Sequence, residues 1–235
     1  MKFKYLVGKI ALGVASPKDY TSWAEEMLIS GVESENISIL AGLDLDKYPD
    51  SEEIKLYFKK SVNDLELEFP TDDVAIISYA IYICRGIIEG NITPEDGVSV
   101  LSQFYSKSDY EPIYGIWDEL SDDIWSIKER DSCYFNTGLT KDNIGEYVRD
   151  VAEQFITLTK IILPEQFFNL CACQKCGYIG EHKLERIDLP WLPEKLYKLI
   201  YKRRPTHRAI CSKCREPFPL SMGDYVARRQ YLTQC

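Results

Sequence analysis

The sequence predicts a mainly α protein: an acidic helical bundle over residues 1–165, followed by a small four-cysteine zinc ribbon over residues 166–235. Three observations predict it. Helix start and stop signals recur through the first 165 residues. The charge then reverses: residues 1–165 hold 15 Lys and Arg against 31 Asp and Glu, whereas residues 166–235 hold 13 against 6, within an overall net charge of −9. Finally, two Cys-x-x-Cys pairs stand 34 residues apart near the carboxy-terminal end. A charge reversal that coincides with a change of composition marks a domain boundary.

The helices follow in order. The opening "MKFKYLVGKIALGV" is basic and mildly apolar but has no uninterrupted apolar run, so it does not read as a signal peptide. In "SPKDYTSWAEEMLISG", Ser16 is a candidate N-cap, Pro17 suits the first helical position and Gly31 the exit. "NISIL" is β-branched, yet it runs into "AGL" at helical spacing and is expected to be helical. "DSEEIKLYFKKSV" starts with Ser51 ahead of Glu52 and Glu53, carboxylates that suit the positive end of a helix dipole. "TDDVAIISYAIYICRGIIEG" opens the same way and ends at Gly90; apolar on nearly every side, it belongs at the centre of a bundle. "TPEDGVSVLSQFY" repeats the Thr-Pro-Glu start, and "TKDNIGEYVRDVAEQFITLTKIIL" runs to Pro164. Seven or eight helices result, with a HEAT-like stack of successive pairs as the alternative arrangement. In "SDDIWSIKERDSCYFNTG" the last five residues read as a turn or an edge.

From about Phe167 the chain breaks into short β-prone pieces with glycine punctuation, interrupted by a basic helix in "PEKLYKLIYKRR". About 70 residues is too few to rely on a hydrophobic core alone, so this region needs a staple. Zn2+ is the expected staple: Cys173 and Cys176 form one knuckle, with Gly177 where the backbone must turn tightly, and Cys211 and Cys214 form the second. Four thiolates complete a tetrahedral shell and leave no position for water, so such an ion is structural. Cys171 is an alternative ligand to Cys173, through a Cys-x-x-x-x-Cys spacing; otherwise Cys171, Cys84 and Cys133 read as buried thiols and Cys235 as terminal. A thioredoxin-like pair would need a βαβ setting, and stable disulfides do not suit the cytoplasmic location expected of this chain. His182 and His207 lie between the knuckles and read as surface residues.

Two charged segments are candidate binding surfaces. Lys195, Lys198, Lys202, Arg203, Arg204 and Arg208 interleave with Trp191, Tyr197 and Tyr201, a pattern that suits nucleic-acid phosphates and bases or docking on the acidic half of the chain. In "IWDELSDDIW", Trp117, Asp118, Glu119, Asp122, Asp123 and Trp125 combine aromatic anchors with carboxylates, a pattern that suits a basic protein partner; the alternative places both tryptophans in the core. Catalysis is not expected. There is no glycine-rich phosphate loop, no His-Glu-x-x-His and no nucleophile elbow, and adjacent pairs such as Asp72 and Asp73 point about 100° apart on a helix. No run of 18 or more apolar residues exists, which argues against a membrane span.

Residues 16–120 resemble a group of small bacterial all-helical proteins of immunity type. The shared positions are Trp23, Ala24, Leu28 and Gly31, then Leu40, Ala41, Gly42 and Leu43, and finally Pro94 to Gly97. The resemblance implies an acidic helical fold and a non-enzymatic role in binding and neutralising a toxin. A zinc-ribbon accessory factor for transcription, translation or phage defence is the other expected function.

Overall fold

The computed structural model describes residues 2–45 and 50–234; Cys235 lies outside them. Ten α-helices and five short strands are present among the described residues. They are α1 Phe3–Ala11, α2 Pro17–Ile29, α3 Glu35–Gly42, α4 Ser51–Asp64, α5 Asp72–Glu89, α6 Pro94–Lys107, α7 Pro112–Arg130, α8 Ile144–Leu158, α9 Glu194–Tyr201 and α10 Tyr225–Leu232. The strands are β1 Cys171–Ala172, β2 Ile179–Gly180, β3 His182–Arg186, β4 His207–Cys211 and β5 Leu220–Ser221. The mainly helical class and the small carboxy-terminal sheet region match the sequence expectation. The chain divides into two compact units, Met1–Thr93 and Pro94–Cys235. The composition change near residue 165 therefore falls inside the second unit.

In the first unit, caps fix the helices where the sequence places them. Ser16 and Asp19 exchange the reciprocal bonds of a capping box, and Gly90 ends α5 in the left-handed conformation at φ 77°. One cap is displaced by a residue: the Asp50 carboxylate, rather than Ser51, accepts from the Glu52 N–H. "NISIL" lies in α3, capped by Ser34, whose hydroxyl accepts from the Ile37 N–H. The core gathers around Trp23, with Phe58 edge-on at 5.2 Å and Leu6, Ile37, Leu40, Ile54 and Val62 packed about them. Trp23, Ala24, Leu40 and Leu43, four of the positions that carry the immunity-type resemblance, are thus buried packing residues.

The opening segment, which carries no strong start signal, forms α1 and packs along α5. Gly8 permits the approach, because a Cβ there would lie 2.5 Å from the Ala75 carbonyl oxygen and 2.7 Å from Tyr79 Cβ. Gly8→Ala should therefore force the two helices apart and destabilise the first unit by about 1–3 kcal/mol, despite the better helix propensity of alanine. A urea titration followed by far-UV circular dichroism measures this.

In the second unit, α6 and α7 pack as neighbours, and Trp117 and Phe155 meet at 5.6 Å in a core shared with α8. The helix α10, absent from the sequence expectation, ties the ribbon to these helices. Arg228 is wholly buried and donates to Gln154 Oε1 on α8 and to the Met222 and Gly223 carbonyls. Tyr225 donates to Asp150 at 2.9 Å. One turn beyond Arg228, Tyr231 meets Phe167 edge-on at 4.9 Å.

Candidate metal centre

Two small sheets frame the four thiols. In the first, β1 lies between β2 and β5, antiparallel to both, with Cys171 opposite Gly180 and Ser221. In the second, β3 and β4 pair antiparallel from His182–Cys211 to Arg186–His207. Each sheet hands one knuckle to the centre, and the two knuckles have the same backbone design. In the first, the Cys173 N–H donates to the Tyr178 carbonyl (2.9 Å) and the Gly177 N–H to the Cys173 carbonyl (3.0 Å). In the second, the Cys211 N–H donates to the Glu216 carbonyl (2.8 Å) and the Arg215 N–H to the Cys211 carbonyl (3.0 Å). The residue after each second cysteine is left-handed: Gly177 at φ 73° and Arg215 at φ 63°.

The left-handed step costs glycine little and any other L-residue about 1–2 kcal/mol. Gly177→Ala should therefore weaken apparent zinc affinity about five- to thirtyfold without a steric clash, since nothing lies within 4 Å of the new Cβ. Competition with a chromogenic chelator checks this.

The sulfurs of Cys173, Cys176, Cys211 and Cys214 all lie within 4.8 Å of one another, with Cys173 and Cys214 3.6 Å apart and Cys176 and Cys211 3.7 Å apart. A tetrahedral ion with metal–sulfur bonds of about 2.3 Å needs sulfur–sulfur edges of about 3.8 Å, so the four residues fit such an ion. Backbone N–H groups point at the sulfurs. The Cys214 N–H, against some desolvation and helped by the Lys213 N–H and the Cys176 and Cys173 thiols, holds the Cys211 thiol down to about 6. At Cys214 the Glu216 backbone also pulls down, but desolvation and the neighbouring thiols outweigh it and push the thiol up to about 12. A bound dication would favour the thiolate forms at such a cluster.

Cys171 stands outside this cluster. Its side chain lies 3.4 Å from His182 Nδ1, and burial pushes its thiol up. Cys84 is buried, as expected, whereas Cys133 is exposed. The Cys133 thiol lies 2.9 Å from the Asn136 carbonyl, in the turn after α7. His207 Nδ1 lies 3.1 Å from the Pro205 carbonyl, away from the sulfurs.

The basic residues divide between two places. Lys195 and Lys198 lie on α9, with Lys202, Arg203 and Arg204 just after it, all exposed. Arg208 is on β4, where it shares the Glu185 carboxylate with Arg215. Those two guanidiniums hold Glu185 below the usual carboxylate range, Arg208 first.

The acidic residues divide more sharply. Trp117 and Asp123 are wholly buried and form no surface. The Asp123 carboxylate accepts from the N–H groups of Tyr134, Phe135 and Asn136 and from the Asn136 side-chain amide, at 2.7–3.0 Å, and so shapes the turn after α7. Glu119 is half-buried against Gly223, and desolvation raises its carboxyl above the usual range although Arg228 opposes this. Half-buried Asp118 and exposed Asp122 and Trp125 remain as a stripe at helical spacing, with the Arg130 guanidinium 5.1 Å from the Trp125 ring centroid. The physical reason for the split is the helix period, which puts Trp117, Leu120, Asp123, Ile124 and Ile127 on the buried side of α7 and leaves Asp122 and Trp125 exposed. Sequence reading missed Gln154, Asp224 and Arg228, whose joint role depends on partners more than 70 residues away.

Among the described residues, no helix is long and apolar enough to cross a membrane. No protein-family model, no curated protein and no solved structure matches this chain, so what it does has to be read from its own geometry.

Proposed function

We propose that this protein is a non-enzymatic binding protein whose four-thiol cluster holds one structural Zn2+ ion. The observation that carries the reading is the set of sulfur–sulfur separations near 3.6–3.7 Å, which suits a tetrahedral ion coordinated by thiolates alone. Four thiolates leave no open position at which water or substrate could be activated, so the ion folds the ribbon. Zn2+ suits the site because it takes tetrahedral sulfur ligands with no redox chemistry; iron is the other ion that favours this geometry. Elemental analysis of protein purified without added metal should give one zinc per chain. Stoichiometric iron with visible thiolate-to-iron absorption, or no metal at all, overturns the assignment.

The partner is a basic protein, of the toxin kind that the resemblance in residues 16–120 implies. Support comes from the charge of residues 1–165 and from the stripe of Asp118, Asp122 and Trp125, which sets one exposed aromatic beside two carboxylates. A pull-down from the native host, with and without nuclease, tests this. A stoichiometric basic protein should survive nuclease and be lost from the D118K/D122K variant; capture that vanishes with nuclease overturns the reading.

A further inference from the structure

The helix α9 is fastened by one side of itself. Tyr197 is its buried residue, with the Arg186 guanidinium 4.7 Å from the ring centroid. The Tyr197 hydroxyl donates to Asp188 (3.1 Å) and accepts from Arg203 Nε (3.2 Å), and the Tyr201 ring lies tilted beside the Tyr197 ring with centroids 4.7 Å apart. An adjoining face is apolar and open. Leu196, Leu199 and Ile200 are 47%, 74% and 60% exposed, and Trp191, just ahead of the helix, is 76% exposed. These three aliphatics share a face at i, i+3 and i+4, and Lys195, Lys198 and Lys202 run alongside at i, i+3 and i+7. Lys198 is held by Glu194 at 2.5 Å, whereas Lys195, Lys202 and Arg204 reach no carboxylate among the described residues.

We propose that this face of α9 docks the ribbon on an anionic lipid bilayer. Nucleic acid would satisfy the lysines and Trp191, but its bases and phosphates offer nothing to Leu196, Leu199 and Ile200. A bilayer surface satisfies all of them: anionic headgroups meet the lysines, the acyl boundary takes the aliphatics, and tryptophan sits at headgroup depth. A protein partner or second copy needs roughly 800 Å² per side, while a helix of eight residues offers a strip about 12 Å long and 10 Å wide. Because the whole chain is acidic at −9, the attraction is local to this face and weakens with salt.

Flotation of the zinc-loaded full chain with vesicles tests the proposal, comparing phosphatidylcholine alone with a phosphatidylcholine–phosphatidylglycerol mixture. Binding should be about tenfold or more tighter to the mixture. It should fall by a similar factor in K195E/K202E and in L199E/I200E, whose exposed positions tolerate charge without unfolding. In a W125F background, which removes the other exposed tryptophan, Trp191 emission should shift to the blue on binding. No binding, or equal binding to both vesicles, overturns the proposal. So does tight binding to a single-stranded oligonucleotide that L199E/I200E leaves unchanged, or self-association without vesicles that L199E/I200E abolishes. The surface is separate from the thiol cluster and from the α7 stripe, so any of these results leaves the zinc and protein-partner readings standing.

Discussion

Removal of the metal should unfold the ribbon and leave the first unit intact. Structural zinc bound by thiolates contributes an apparent free energy of about 10–16 kcal/mol near neutral pH, comparable to the whole stability of an ordinary domain at about 5–15 kcal/mol. The strands it would hold are two to five residues long and cannot persist alone. Cys176→Ser, or a strong chelator, should therefore abolish amide protection across residues 171–186 and 207–221. Protection in α2, α4 and α5 should stay unchanged. Because the ligands bind as thiolates, the metal should also leave more readily as the pH falls. Hydrogen exchange read by mass spectrometry decides the matter: a chelated chain that keeps its ribbon protection would show that the cluster is not a structural metal site. Far-UV circular dichroism is the wrong probe, since the helices dominate it.

Asp123→Ala should cost about 3–5 kcal/mol, while Asp122→Ala should cost less than about 0.5 kcal/mol. The two residues are neighbours in the chain and opposites in the fold. The Asp123 carboxylate is fully buried and satisfies three backbone N–H groups and the Asn136 amide. Losing it leaves donors buried without an acceptor at about 1–3 kcal/mol each. Asp122 is exposed and holds nothing in the turn. Asp123→Asn is the sharper variant: it keeps the shape but turns an amide donor toward donors, so it should recover little of the loss. Urea midpoints for the three variants measure the difference, and similar midpoints for Asp122→Ala and Asp123→Ala would refute the account.

That pair also marks where sequence reading stops. Caps and breakers at Ser16, Pro17, Gly90 and Pro94 act over one helical turn, so α2, α5 and α6 were legible from local chemistry. The two knuckles were legible for the same reason, since each needs only its own six residues to turn. Spacing favoured Cys173 over Cys171 but did not exclude the latter; the structure separates them because β1 is Cys171–Ala172, so Cys171 is held in sheet pairing while Cys173 opens the knuckle turn. Trp117 and Trp125 were indistinguishable by type and neighbourhood; only the location of α8 makes one core and the other surface. The helix α1 escaped notice because its N-cap position holds Lys2, whose side chain caps nothing. α10 escaped because its start signal, Asp224, spends one carboxylate oxygen on its own helix and the other on Thr137, far away in sequence.

The bonds that fasten α10 have a kinetic consequence. They join residues 74, 75 and 87 positions apart, as in Arg228 to Gln154, Tyr225 to Asp150 and Thr137 to Asp224. During synthesis α8 leaves the ribosome well before its partner exists, with the inner faces of Val151 and Phe155 already committed to a core that is not yet closed. Folding rate falls as the mean separation of contacting residues grows. The second unit should thus close only once α10 has emerged, and until then the nascent chain is most exposed to aggregation and proteolysis.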